Sequence, residues 1–258
     1  MENAGRLDAD RVRAMFDRIA GVYDLMNTAM TAGLHHRWRE RAAELAGVGP
    51  GSRVLDVATG TGDMALKLAR RVSPAGQVVA VDFSEAMLAR ARAKAESSDE
   101  PVRPQFEWAD AMALPYEDDS FDAATVGFGA RNFDDLGRGI AEMARVVRPG
   151  GRVVVLEITT PTRPPLSLFY RVWFDRFVPL LGRLAGAVLA VARRVGAGGS
   201  GGSIGDAYTY LPSSVRRFPG PAALAGEMER AGLGEISYIL TAGGIVAIHA
   251  GTVGPERA

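Results

Sequence analysis

The 258-residue chain has no cysteine, which excludes disulfides, thiolate metal sites and a cysteine nucleophile. Histidine occurs only at His35, His36 and His249, too sparse and scattered for a histidine-built metal centre, so no metal is expected. Lysine occurs only at Lys67 and Lys94; the other basic residues are arginine. Basic and acidic residues balance at 30 each, and a chain without net charge offers no electrostatic footprint for nucleic acid. Long apolar runs are also missing. In the apolar stretch 166–195 the longest uncharged run, Leu184 to Ala192, falls far short of the ~20 residues of a membrane span. Met1 to Asp10 is polar and lacks the apolar core of a signal peptide, which sets the expectation of a cytoplasmic protein.

What is present reads as one large α/β domain, with the 47% hydrophobic and 23% charged residues of a globular protein. The chain is organised around Val54-Leu-Asp-Val-Ala-Thr-Gly-Thr-Gly-Asp63. Val54, Leu55, Val57 and Ala58 form a short apolar run suited to a buried parallel strand. Gly60 and Gly62 let the backbone turn sharply and approach a ligand closely. Asp63 then suits the N-terminus of a helix. Strand, glycine loop and helix together make a place to lay a nucleotide.

Gly60-Thr-Gly62-Asp-Met-Ala65 also satisfies G-x-G-x-x-A, and Asp82 follows at about the spacing of a ribose-binding acid, so a dehydrogenase has to be weighed. Two features favour a methyltransferase. Asp56 sits before the glycines, where a carboxylate could hold the ammonium of S-adenosylmethionine, a group NAD lacks. No tyrosine has a lysine four residues later, so the usual short-chain dehydrogenase base pair is missing. A glycine turn that binds nothing is the bland alternative.

From 50 onward, strands at 53–58, 77–82, 105–109, 123–127 and 152–157 alternate with helices at 63–72, 84–96 and 134–147. This alternation predicts a doubly wound, mostly parallel sheet. Ligands of such sheets lie beyond the carboxyl ends of the strands, where Asp56, Asp82, Asp110 and Gly127 fall. Asp82 could accept both ribose hydroxyls, Phe83 could flank an adenine, and Asp110 could accept its amino group. Ahead of this core, residues 8–46 read as two or three short helices forming a cap, with Gly21 and Gly33 as breaks and Tyr23 and Met26 as lid residues. Arg148-Pro-Gly-Gly151 predicts a stop and turn.

After the core (50–160), residues 161–211 read as a helical insertion. Its apolar residues are mixed with Arg171, Arg176, Arg183, Arg193 and Arg194, a pattern of either a sheet-packed helix pair or a membrane-surface helix. Its 196–203 segment, GAGGSGGS, reads as flexible. Residues 212–251 predict a helix and then an antiparallel hairpin, 235–240 with 245–250. A parallel sheet ending in such a hairpin suits a seven-strand Rossmann-like methyltransferase, and not a dinucleotide fold.

Several segments are more specific than the glycine loop: Phe16 to Trp38, Phe128-Gly-Ala-Arg-Asn132, Val147 to Arg152 with Leu156-Glu157, Asp206 to Leu211, and Leu240 to His249. With these the chain resembles the UbiE/MenG-type C-methyltransferases of menaquinone and ubiquinone biosynthesis. The resemblance implies a class I S-adenosylmethionine-dependent methyltransferase fold and cofactor contacts at Thr61, Asp82, Asp110-Ala111 and Gly127. The last is a departure, because a serine is usual there. It implies C-methylation of a polyprenyl quinol ring, demethylmenaquinol to menaquinol ahead of a benzoquinol or another small hydrophobic acceptor; a non-catalytic cofactor-binding subunit is the remote alternative.

Arg131 and Asn132 are the expected catalytic pair. Arginine stays protonated, so Arg131 would lower the quinol pKa and position a water while Asn132 holds a ring oxygen. Tyr23 and His36 are the other catalytic candidates, and an ion pair of Arg131 with Asp134 or Asp135 is the bland alternative. For partners, the resemblance allows peripheral membrane contact and a homodimer.

Overall fold

The computed structural model of the chain describes residues 9–21, 23–161, 164 and 204–255. The helical insertion expected at Leu166 to Val195 and the glycine-rich 196–203 segment lie outside the described residues.

Five strands run parallel: β1 Arg53–Val57, β2 Gln77–Asp82, β3 Gln105–Trp108, β4 Phe121–Gly127 and β5 Val147–Ile158. Two more, β6 Leu233–Thr241 and β7 Val246–Val253, close the sheet as an antiparallel pair, with β7 against β5. The order across the sheet is β3-β2-β1-β4-β5-β7-β6. Chain order reverses between β1 and β4, and such a reversal opens a crevice at the carboxyl ends of those two strands.

Both faces of the sheet are covered, which is why its central strands are apolar almost throughout. On one face α3 (Leu34–Leu45) and α4 (Asp63–Val72) bury Trp38, Ala42, Met64 and Leu68. On the other, α6 (Leu136–Val146) and α8 (Pro221–Arg230) bury Ile140, Met143, Leu224 and Met228. α5 (Glu85–Glu96) starts where the Ser84 hydroxyl accepts the Met87 N–H, and α6 where the Asp135 carboxylate accepts the Arg138 N–H. Each cap satisfies a donor that the first turn leaves unpaired.

The N-terminal region forms three helices, α1 Ala9–Ile19, α2 Tyr23–Thr31 and α3, and Gly33 makes the second break at φ +77°. α1 and α2 build a third apolar cluster over the sheet ends, in which Met15, Ile19, Tyr23 and Met26 meet Met87 of α5 and Tyr210 of α7 (Ile204–Arg217). One sequence expectation is revised. The 148–151 turn does not precede β5 but is looped out within it: Phe121 pairs with Val147 and Ala123 with Arg152, so the four residues form a bulge that keeps both pairings.

At the reversal point two non-glycine residues sit in the left-handed region, Ala58 at φ +52° after β1 and Phe128 at φ +65° after β4. A β-carbon placed on Gly129 would lie 2.5 Å from the Ala58 β-carbon. The two strand-end loops therefore touch through glycine. Gly129→Ala is expected to cost about 1–3 kcal/mol by overpacking this contact. Gly137→Ala, whose added carbon would meet nothing nearer than 3.6 Å and which lies within α6, should be neutral or stabilising. Equal thermal unfolding midpoints for the two variants would contradict this.

Candidate active site

A cavity of about 210 Å³ opens at the carboxyl ends of β1 to β4. Its floor is the glycine loop. Gly60, at φ +58°, donates its N–H to Asp82 Oδ2 at 2.8 Å, and the Ser84 N–H donates to Asp82 Oδ1 at 3.0 Å. Asp82 lines the cavity, and burial raises its pKa to about 6 against the backbone donors that hold the anion. Phe83, Asp110, Ala111 and Gly127 also line the cavity, as do Gly60 and Thr61. Asp110 accepts the Met112 N–H at 2.9 Å, and Trp108, unassigned by sequence reasoning, adds an exposed ring held by its Nε1–H on the Phe83 carbonyl at 3.0 Å. A β-carbon at Gly127 would come 3.3 Å from Met64 Cε, so the residue is closely fitted there.

Asp56 stands differently from its sequence expectation. It has no solvent exposure and does not line the cavity. Its Oδ2 accepts the Thr59 hydroxyl at 2.6 Å and its Oδ1 the Thr125 hydroxyl at 2.7 Å. Burial raises its pKa to about 6, against the two hydroxyls. It therefore organises the loop rather than meeting a ligand ammonium. Gly62 is likewise structural: at φ +83°, it leaves room for Ala91 and Phe106, which an added β-carbon would meet at 3.1 and 3.2 Å. The Thr61 hydroxyl, though at the cavity, donates to Asp24 Oδ1 at 2.5 Å and accepts from Lys94 at 3.1 Å. Lys94 also meets Asp24 and Asp63 at 2.7 Å each, so α2, the glycine loop and α5 are joined by one polar cluster.

A second cavity, about 250 Å³, lies under the N-terminal helices. Its walls are mostly apolar, including Met15, Ile19, Met26, Met30 and Trp38. Phe16, Tyr23, Arg39 and Phe128 line both cavities, so the two chambers meet there. Few polar groups face the second chamber; Arg131, Tyr210 and His35 are among them.

Arg131 sits in a single 3-10 turn after β4, with its side chain 8% exposed. Its Nη1 donates to Glu157 Oε1 at 2.7 Å and to the Phe128 carbonyl at 2.5 Å, while its backbone N–H reaches Glu157 Oε2 at 3.2 Å. The bland alternative, an ion pair with Asp134 or Asp135, gives way to one with Glu157 at the end of β5. Asp135 instead caps α6. Burial works against the Arg131 charge, but the Glu157 carboxylate outweighs it and holds the guanidinium pKa above its ordinary value. Asn132 lines the first cavity, and its Oδ1 accepts the Tyr210 hydroxyl at 3.2 Å.

His36 does not join this group. It is exposed on α3, lines neither chamber, and lies against His35 at 3.9 Å between ring centroids. His35 is the histidine facing the second cavity, with Nδ1 2.7 Å from the Thr31 hydroxyl. Burial, then the Arg39 charge, lowers its pKa to about 4, so it is neutral near pH 7. His35, Trp38, Arg39 and Ala42 recur at helix spacing, a signal that could have picked His35 over its neighbour. His35, His36 and Asp63 bring ligand atoms within 4.8 Å of one another, and Asp63 also meets Lys94 at 2.7 Å and, more loosely, Arg39 at 3.6 Å.

A model of the ubiE/COQ5 methyltransferase family matches residues 5–253. The chain is 46% identical to a demethylmenaquinone methyltransferase of Thermus thermophilus, over 92% of this chain and 99% of the relative. It is 39% identical to a ubiquinone/menaquinone biosynthesis C-methyltransferase UbiE of Teredinibacter turnerae, over 95% and 92%. Among solved structures, an S-adenosylmethionine-dependent methyltransferase from Aquifex aeolicus superposes with a TM-score of 0.59 at 15% identity, covering 96% of this chain and 99% of that one, a likeness of fold.

The environment of Asp82 sets a pH dependence. The ionised carboxylate, the form able to accept a ligand diol, is lost as pH falls through about 6. Cofactor affinity should therefore drop between pH 7.5 and 5.5, with proton release on binding at the lower pH. Calorimetry in two buffers of different ionisation enthalpy checks both; an affinity constant across that range would contradict the reading.

Proposed function

The chain belongs to the ubiE/COQ5 methyltransferase family, and from that premise we propose that it transfers the S-adenosylmethionine methyl group to a ring carbon of a polyprenyl quinol. Demethylmenaquinol to menaquinol is the favoured case. One observation carries the reading: a nucleoside-sized cavity bordered by Asp82 and Asp110 meets a more apolar chamber at Tyr23 and Phe128, so a sulfonium methyl and a hydrophobic ring can face each other there. The naphthoquinol is favoured by the 46% identity with a relative named for demethylmenaquinone. A benzoquinol is the second reading.

In this account Asp82 takes the ribose hydroxyls, and Phe83, Asp110 and Ala111 receive the adenine. Gly60, Thr61 and Gly127 border the amino-acid tail. The ring carbon attacks the methyl in line with the departing sulfur; a carbon–carbon bond forms, the carbon–sulfur bond breaks, and S-adenosylhomocysteine leaves. Loss of the ring hydroxyl proton puts charge on the adjacent carbon; after transfer the proton on the methylated carbon leaves as aromaticity returns and the ring oxygen takes up a proton, so one proton is released overall. Holding the two partners in line is the larger part of the catalysis.

Arg131, fixed by Glu157, supplies a permanent positive charge at the chamber wall and favours the quinolate. Asn132 lines the cofactor cavity and not the apolar chamber, so its amide N–H groups, left free by the Tyr210 hydroxyl on its carbonyl oxygen, would meet a ring oxygen only where the two chambers join. Tyr23 closes the ring's other side. Water carries the proton away, because Arg131 stays charged and His36 lies outside the chamber.

No helix among the described residues is long and apolar enough to cross a membrane. Leu25 and Leu34, exposed on the lid, with Leu34 also lining the second chamber, support peripheral contact with a bilayer that holds the prenyl tail. The 166–195 stretch lies outside the described residues; its mix of apolar residues and arginines is the sequence pattern of a membrane-surface segment.

The test is transfer of labelled methyl to short-tailed demethylmenaquinol and its benzoquinol counterpart, both held reduced. Label in the first and little in the second is expected; cofactor binding without label in either would overturn the substrate assignment. Replacing Arg131 alone would strand the Glu157 charge in the interior, so the informative variant is Arg131→Gln with Glu157→Gln. It should lower turnover by about 100-fold or more, the loss typical of a removed electrostatic stabiliser, with cofactor affinity nearly unchanged. Turnover near that of the unaltered enzyme would remove Arg131 from the mechanism.

A further inference from the structure

Arg39 stands on α3 where the two chambers join, and it lines both. It is 5% exposed. Its Nη1 is fully buried and has no hydrogen-bond partner; the nearest acid, Asp63 Oδ2, is 3.6 Å away. Asp63 already receives Lys94 through its other oxygen at 2.7 Å. The guanidinium carbon lies 5.2 Å from the centroid of the Phe128 ring, whose edge in turn meets Trp38. The head group is thus held in place by an aromatic face and a distant carboxylate, with a donor left unused. A buried charged donor without an acceptor is costly, and a site built this way is completed by an anionic ligand.

We propose that Arg39 binds the α-carboxylate of the cofactor's methionine moiety, an inference that rests on S-adenosylmethionine occupying the first cavity. The direction of the cofactor carries it. With the base among Phe83, Trp108 and Asp110 and the ribose on Asp82, the amino-acid tail runs back across the β1 loop toward Gly127 and Phe128, where Arg39 stands. A guanidinium matches a carboxylate in shape and charge, whereas Asp56, once the candidate for the ammonium end, is sealed in the core. The carboxylate also sets a negative charge between two cations, Arg39 and the sulfonium, which would otherwise repel each other beside the reacting methyl. Arg39 is therefore a binding and positioning residue.

The experiment compares calorimetric affinities of the unaltered chain, Arg39→Met and Arg39→Lys for three ligands: S-adenosylmethionine, decarboxylated S-adenosylmethionine and 5′-methylthioadenosine. The unaltered chain should prefer the first over the second by about 10- to 100-fold, the range of a hydrogen bond between charged groups. Arg39→Met should lose that preference, with methylthioadenosine binding unchanged as the sign of an intact nucleoside site. Arg39→Lys should keep part of it. A preference that survives in Arg39→Met, or equal weakening of all three ligands, would overturn the assignment. Failure of the unaltered chain to bind S-adenosylmethionine would instead overturn the reading of the cavity itself.

Discussion

A single buried carboxylate ties together the two paired strands at which the chain order reverses, the point on which the site depends. Asp56 takes one hydroxyl from Thr59, in the loop after β1, and one from Thr125, within β4. β1 and β4 are the strands between which the chain order reverses, and above them the backbone must diverge. Divergence leaves a crevice but also two loops without helical support. Asp56 fixes one loop to the neighbouring strand, and Ala58 and Phe128 hold the left-handed conformations that turn both loops outward. Strain of this kind persists only where surrounding bonds over-determine it. Here those bonds include the Phe128 N–H on the Leu156 carbonyl at 2.8 Å and the Thr59 N–H on the Val81 carbonyl at 2.9 Å.

From that fixed floor the two chambers acquire opposite characters for simple reasons. The cofactor side is made of strand ends, where backbone donors and acids accumulate. The other side is made of α1, α2 and α3, whose apolar faces have no sheet beneath them at that end and so enclose a greasy space. Few polar groups enter it, and three of them are held from outside: Arg131 by Glu157, His35 by Thr31, and Tyr210 by Asn132. The lid and floor are also linked by charge, because Lys94 joins Asp24 of α2 to Asp63 at the start of α4. Movement of the lid over a bound ligand has to work against that cluster.

Much of this was legible in the sequence. Apolar runs ending in Asp56, Asp82 and Asp110 marked strand ends, and helix spacing marked α4 and α6, because local patterning decides those features. Direction was less legible. Asp56 was visible as an acid at a strand end, but whether it faces a ligand or the core depends on Thr125, 69 residues away. Arg131 is legible as a site residue, but its acid, Glu157, comes from across the sheet and not from the neighbouring Asp134 or Asp135. The one local clue was an acid closing the apolar run Val153 to Leu156. The choice of His36 over His35 was recoverable: neighbours on a helix face about 100° apart, and Trp38, Ala42 and Ala43 mark the buried side. The same face carries Arg39, an arginine among buried positions, whose burial was the unread signal.

The central claim is that methyl donor and acceptor meet where Tyr23 and Phe128 line both chambers. The most direct test is a structure of the chain with S-adenosylhomocysteine and a short-tailed quinol bound together. The account predicts the sulfur beside Gly60 and Gly127, the ring under Met15 and Met26 with an oxygen toward Arg131, and a straight path between them past Tyr23. A ring bound instead in the cleft on the other side of Arg131 and Asn132, lined by Val12, Leu136 and Phe218, would contradict it.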